Sequence, residues 1–250
     1  MPKDGAVIAY RAIQPFLASG ASVVCSADPM RPSLCPEPER RCLSHLICIE
    51  GPAGVGKTTL CRALVKEYLS LEMDVAWIDE FSATELGEAL SLRLAKFSDA
   101  PAPWPPFETM MLCVQDKLSA LSMRCLKAGI VILDRGFITQ RVLAIPLMQD
   151  LAERGFAESV IRLLDHWLAT QYCMSTFVLR ISFAENIARL ERRLDRTLSR
   201  REKGLLHQER SRYALLTERY CPDFKTLDAA DASDVLAERV IADLGLEVCK

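Results

Sequence analysis

Residues 45–60 read HLICIEGPAGVGKTTL, and the fold turns on this stretch. Residues 45–50 make a short, mostly apolar run of the length of a buried strand. Gly51, Gly56, Lys57 and Thr58 then fit the spacing G-x-x-x-x-G-K-[ST], and Leu60, Leu64, Tyr68 and Leu71 recur behind them at helical spacing. A strand, a glycine-rich loop and an amphipathic helix in that order form a cradle for phosphates. Glycines let backbone N–H groups turn inward, the helix start adds its positive end, and the lysine brings a mobile cation. Gly51, Pro52, Ala53, Gly54, Val55, Gly56, Lys57, Thr58 and Thr59 are therefore expected to hold the phosphates of ATP or GTP, with the Thr58 hydroxyl on Mg²⁺.

Beyond this loop, short β-branched runs alternate with helical patterns, the signature of parallel βαβ units. Strands are expected at 45–50, 74–79, 130–134, 176–182 and around FKTLDA, 224–229. Helices are expected near 84–96 and 107–128, on either side of Gly155, from the Ser182-x-x-Glu185 capping box as an Arg-rich helix and loop to about 208, then another up to Tyr220, and one from 231. The pattern predicts an α/β domain over 45–250: a five-stranded parallel sheet with helices on both faces. Residues 1–44 differ, since SADPMRPSLCPEPERRC places four prolines and several charges in a stretch without period, as in a linker or extension.

Composition narrows the surroundings rather than the chemistry. Among 250 residues the net charge is −2, so no global basic field points to nucleic acid. Ten cysteines form no C-x-x-C pair, which reads as free thiols in a reducing cytoplasm. No uninterrupted apolar run is long enough to span a bilayer. The expectation is a soluble cytoplasmic protein with a small-molecule partner.

Two further features bear on chemistry. Asp134 ends the third strand, where an acidic residue emerges beside the phosphate loop and can hold Mg²⁺, and Arg135 next to it can reach phosphate oxygens with a planar fork. Residues 189–212 carry nine basic residues against four acidic ones. Arg192, Arg196 and Arg200 are spaced four apart and share a face if one helix persists. Such a segment suits a cationic lid that closes over a transferring phosphoryl group, with Arg192 and Arg196 as candidate catalytic arginines.

The segments ICIEGPAGVGKTTL, DEFSATELGEAL, AGIVILDRG, LRISFAENIARLERRLDR and LDAADASDVLAERVIADL, in this order, resemble the thymidylate kinase family of P-loop kinases, and more loosely the deoxynucleoside kinases. The resemblance covers about residues 45–246. It implies a P-loop NTPase fold with sheet order 2-3-1-4-5, an Arg-bearing lid, usually a homodimer, and ATP- and Mg²⁺-dependent phosphorylation of dTMP. Lys57, Thr58 and Asp134-Arg135 match the family's donor machinery, and Glu80 stands where its Arg-Glu-Pro-Gly-Gly segment has Glu.

Every departure falls on the acceptor side. Asp79-Glu80-Phe81-Ser82-Ala83 lacks the Arg, Pro and both Gly; Cys113-Val114-Gln115 replaces the Arg-Val-Gln whose arginine holds the dTMP phosphate; and Gly136, Thr139, Gln140 and Leu143 replace groups near the base. A thiol cannot stand in for a bidentate guanidinium. Either Arg141 or Arg124 takes over, or the acceptor is a nucleoside or other small hydroxyl compound with Glu80 or Asp79 as general base. A third possibility is a regulatory protein that binds ATP without transferring phosphate.

Overall fold

The computed structural model describes residues 44–94, 104–124, 128–219 and 224–245, so the Pro-rich segment lies outside the described residues apart from Ser44. Five strands, β1 His45–Glu50, β2 Val75–Ile78, β3 Ile130–Asp134, β4 Cys173–Arg180 and β5 Phe224–Asp228, form one all-parallel sheet in the order β2-β3-β1-β4-β5. Eight α-helices join them among the described residues: α1 Lys57–Ser70, α2 Glu85–Leu94, α3 Pro106–Arg124, α4 Ile138–Leu143, α5 Leu151–Gln171, α6 Phe183–Leu194, α7 Arg200–Arg219 and α8 Ser233–Leu244. This is the expected α/β architecture, of P-loop NTPase type.

Strand parity explains the two layers. Ile47, Ile49, Ile130, Ile132, Phe177 and Leu179 point to one face, where Leu60, Leu64 and Tyr68 of α1 and Leu236, Ala237 and Val240 of α8 cover them. The alternate residue Val178 of β4 points to the other face and packs with Ile138 and Val142 of α4 and Tyr213 of α7. Burial on both faces is why β1 and β3 read as continuous apolar runs. β1 lies between β3 and β4, so the chain reverses its direction of travel across the sheet there. A crevice forms outside the carboxyl ends of strands at such a switch point.

Several expected boundaries move. One helix, α5, runs through Gly155, and the break falls earlier, at the 3₁₀ turn Ile145–Leu147 containing Pro146. Asp150 then caps α5 by accepting from Ala152 N–H at 2.8 Å. β4 starts at Cys173, three residues earlier than expected, and α3 is described as far as Arg124. Among the described residues no helix is long and apolar enough to cross a membrane.

The arginine-rich segment differs most. α6 stops at Leu194, Asp195 turns left-handed at φ 52°, and α7 restarts at Arg200. Ser199 and Glu202 form a reciprocal capping box, with Glu202 N–H donating to Ser199 Oγ at 3.2 Å and Ser199 N–H donating to Glu202 Oε2 at 2.8 Å. Arg192, Arg196 and Arg200 therefore do not share one helical face.

Candidate functional site

The loop between β1 and α1 is held in shape by contacts that leave no room for side chains. Gly51 adopts φ 138°, and a Cβ there would meet Leu179 O of β4 at 2.8 Å. Gly54 adopts φ 74°, and its Cβ would lie 2.5 Å from Leu190 of α6. α6 thus forms the loop's outer wall, where Asn186 Nδ2 donates to Ala53 O at 2.8 Å. Arg189 donates from one terminal nitrogen to Val55 O at 3.2 Å and from the other to Ala229 O at 3.0 Å.

Lys57 is buried and donates from Nζ to Pro52 O at 3.0 Å. Burial and the neighbouring Arg135 guanidinium lower its pKa to about 8, against the opposing pull of Glu80, Glu209 and Asp134. The Thr58 hydroxyl donates to Asp134 Oδ2 at 2.5 Å, which joins the loop to the end of β3. Asp134 Oδ1 is buried and has no hydrogen-bond partner, an orphan of the kind that a hard cation or its bound water satisfies. Among the described residues no cluster of three His, Cys, Asp or Glu could hold a metal. Thr58 and Asp134 fit Mg²⁺ bound chiefly through phosphate oxygens and water.

Arg135 sits in the left-handed region at φ 63°, so its side chain turns from the end of β3 toward the loop. Its Nε pairs with Glu80 at 3.0 Å and one terminal nitrogen with Glu209 of α7 at 3.4 Å. Burial alone would raise the pKa of Glu80, but Arg135, Lys57 and Lys117 outweigh it and hold the carboxyl below its ordinary value. Glu209 also accepts the Ala53 N–H of the loop at 3.1 Å. Lys57, Thr58, Glu80 and Arg135 line one cleft of about 930 Å³ together with Arg189, Arg193, Arg212 and leucines of α4 and α7. That volume suits a small-molecule site.

Two neighbouring residues of α3 hold the segments around Glu80 and Asp134 in place, and sequence reading passes over both. Asp116 is buried and accepts from Ser82 N–H at 2.9 Å and from the Ser82 and Thr84 hydroxyls, which fixes the segment after Glu80. Lys117 is buried and donates from Nζ to Asp79 O and to Asp134 O, binding the ends of β2 and β3 together. Nothing in an amphipathic helix pattern separates these charges from solvated ones. Glu50 is different, because a carboxylate closing an apolar strand must be paired if buried. It accepts from Gly136 N–H at 2.8 Å, Thr139 Oγ1 at 2.7 Å and Tyr213 OH at 3.0 Å.

The other candidates lie elsewhere. Arg196 forms a paired bridge to Glu202 at 2.6 and 3.0 Å, and neither it nor Arg192 lines the cleft; Arg189, Arg193 and Arg212 do. Arg141 is turned to Glu158 and Asp165, at 3.2 and 3.0 Å. The Arg124 side chain lies outside the described residues. Burial pushes the Cys113 thiol up to about 12, which leaves it neutral at physiological pH. No protein-family model matches the chain, and no curated protein does either.

Proposed function

We propose that the chain is an ATP-dependent phosphotransferase, a P-loop kinase of small molecules. The observation that carries this is the convergence on one cleft of a glycine cradle, Lys57, the linked Thr58 and Asp134, and the Glu80–Arg135 pair. A cradle alone suits any nucleotide-binding protein. A carboxylate and a guanidinium paired at its open side add the groups that an acceptor needs.

The roles follow from position. The loop amides and Lys57 hold the triphosphate and neutralise charge that grows on its oxygens during transfer. Thr58 and Asp134 would hold Mg²⁺, which would supply further neutralisation of the phosphates. Arg135 stabilises the transferring phosphoryl group and aims Glu80. Where the acceptor is a hydroxyl compound, Glu80, kept ionised, takes its proton as the oxygen attacks the terminal phosphorus and ADP departs with the bond's electrons.

The resemblance to thymidylate kinases makes dTMP the first acceptor to try. The acceptor side favours a second one, a nucleoside or other hydroxyl compound. Cys113 is a neutral thiol where that family has a phosphate-holding arginine, and Arg141 is engaged by two carboxylates. Coupled ADP release with Mg²⁺ and ATP, across dTMP, other nucleoside monophosphates and free nucleosides, tests both. Stimulation by dTMP alone supports the first reading, and stimulation by nucleosides alone the second. Tight ATP binding without stimulation by any acceptor points instead to a regulatory nucleotide-binding protein. Lys57→Ala is expected to lower turnover by about 100-fold or more, the scale of losing one preorganised charge contact, and full retention would overturn the loop's role.

A further inference from the structure

Glu209 does something that neither a lid nor an ion pair accounts for. Its carboxylate is buried, with Oε2 accepting the Ala53 N–H of the phosphate loop at 3.1 Å and Oε1 facing Arg135 at 3.4 Å. One backbone amide of a phosphate cradle and one guanidinium at its mouth are the two kinds of donor that recognise a phosphoryl oxygen. In the free protein a carboxylate from α7 holds both.

The surroundings fix which part can move. The C-terminal half of α7 is anchored, with Tyr213 bonded to Glu50, Thr217 bonded to Arg180, and Arg212 donating to Val142 O at 3.0 Å. Glu209 lies one turn before Tyr213, at the edge of this anchor, and lines the open cleft. Its side chain can leave the loop by changing rotamer while the helix stays in place. A phosphate arriving beside Lys57 and Arg135 cannot share the Ala53 amide with a carboxylate, because the two anions repel and compete for one donor.

We propose that Glu209 is an internal stand-in for a phosphoryl group, filling an anion subsite made by Ala53 N–H and Arg135 that a nucleoside triphosphate must take from it. The proposal rests on the phosphate-loop reading and adds that occupancy is a competition. Apparent affinity is then reduced by the fraction of molecules in which Glu209 is docked.

Calorimetric titration of the full chain with ATP and with inorganic tripolyphosphate tests this on the wild type and Glu209→Gln. Glutamine keeps an oxygen for the Ala53 amide but loses the charge. It is expected to bind both anions about tenfold more tightly or better, the range of a coupling free energy between competing states. Glu80→Gln removes a charge beside the same arginine while leaving Ala53 engaged, and its gain is expected to be clearly smaller. Equal gains in the two variants, or no gain in Glu209→Gln, would overturn the proposal while leaving the phosphate loop intact. Failure of either anion to bind any of these proteins would instead sink the phosphate-loop reading. If Glu209→Gln does not fold by thermal denaturation, Glu209→Asp decides: too short to bridge both donors, it is expected to bind the anions more tightly than wild type, and unchanged or weaker binding counts against the proposal.

Discussion

At the scale of single residues, charge state is set by burial and neighbours, and two side chains carry predictions. Lys57 has a free-protein pKa of about 8, and a bound phosphate raises it by stabilising the charged form. Between those two values, nucleotide binding takes up a proton. Calorimetry at pH 8.5 in buffers of different ionisation enthalpy is expected to show uptake, and none at pH 6.5, where Lys57 is already protonated. Glu80→Gln keeps the side chain's shape but cannot accept a proton, so ADP release driven by a hydroxyl acceptor is expected to fall by about 10²- to 10⁴-fold. Lys57, Thr58 and Asp134 were legible in the sequence because spacing and strand position constrain them. Glu209 and Lys117 were not, since their partners lie 156 and 38 residues away along the chain.

At the scale of elements, α3 matters more than its pattern indicates. Lys117 satisfies carbonyls at the ends of both β2 and β3, and Asp116 holds the turn that follows Glu80. Lys117→Met removes the ammonium that the Asp79 and Asp134 carbonyls share and is expected to lower stability by about 1–3 kcal/mol, read from urea denaturation. The effect on acceptor-dependent turnover is expected to exceed the effect on ATP affinity, because the clamp lies on the acceptor side of the loop. The sequence reads as an Arg-rich helix and loop to about 208 before a second helix, whereas the break comes earlier, between Leu194 and Arg200. Ser199-x-x-Glu202 is the same local signal as Ser182-x-x-Glu185. In the structure the first is reciprocal, whereas Glu185 turns its carboxylate to Arg189.

At the scale of the whole molecule, the alternation of strands and helices was legible because buried parallel strands are continuously apolar, and the sheet order came with the resemblance. Strand order places the loop and the Asp134-Arg135 turn at adjacent strand ends. Ligand binding to this folded arrangement and not to the unfolded chain must stabilise it. ATP at 100 times its dissociation constant is expected to add about 2.7 kcal/mol, seen as a rise in melting temperature that Lys57→Ala abolishes. A rise that persists in that variant would place the nucleotide elsewhere.

The alternation along β1 divides two jobs between neighbouring residues. Ile47 and Ile49 support the helix that carries Lys57, whereas Cys48 and Glu50 look toward α4 and α7 on the opposite side. Successive residues of a single strand therefore answer to different packing demands. On the proposed kinase reading, a substitution at Cys48 or Glu50 would be felt first through α4 and α7, whereas one at Ile47 or Ile49 would loosen the helix that carries Lys57.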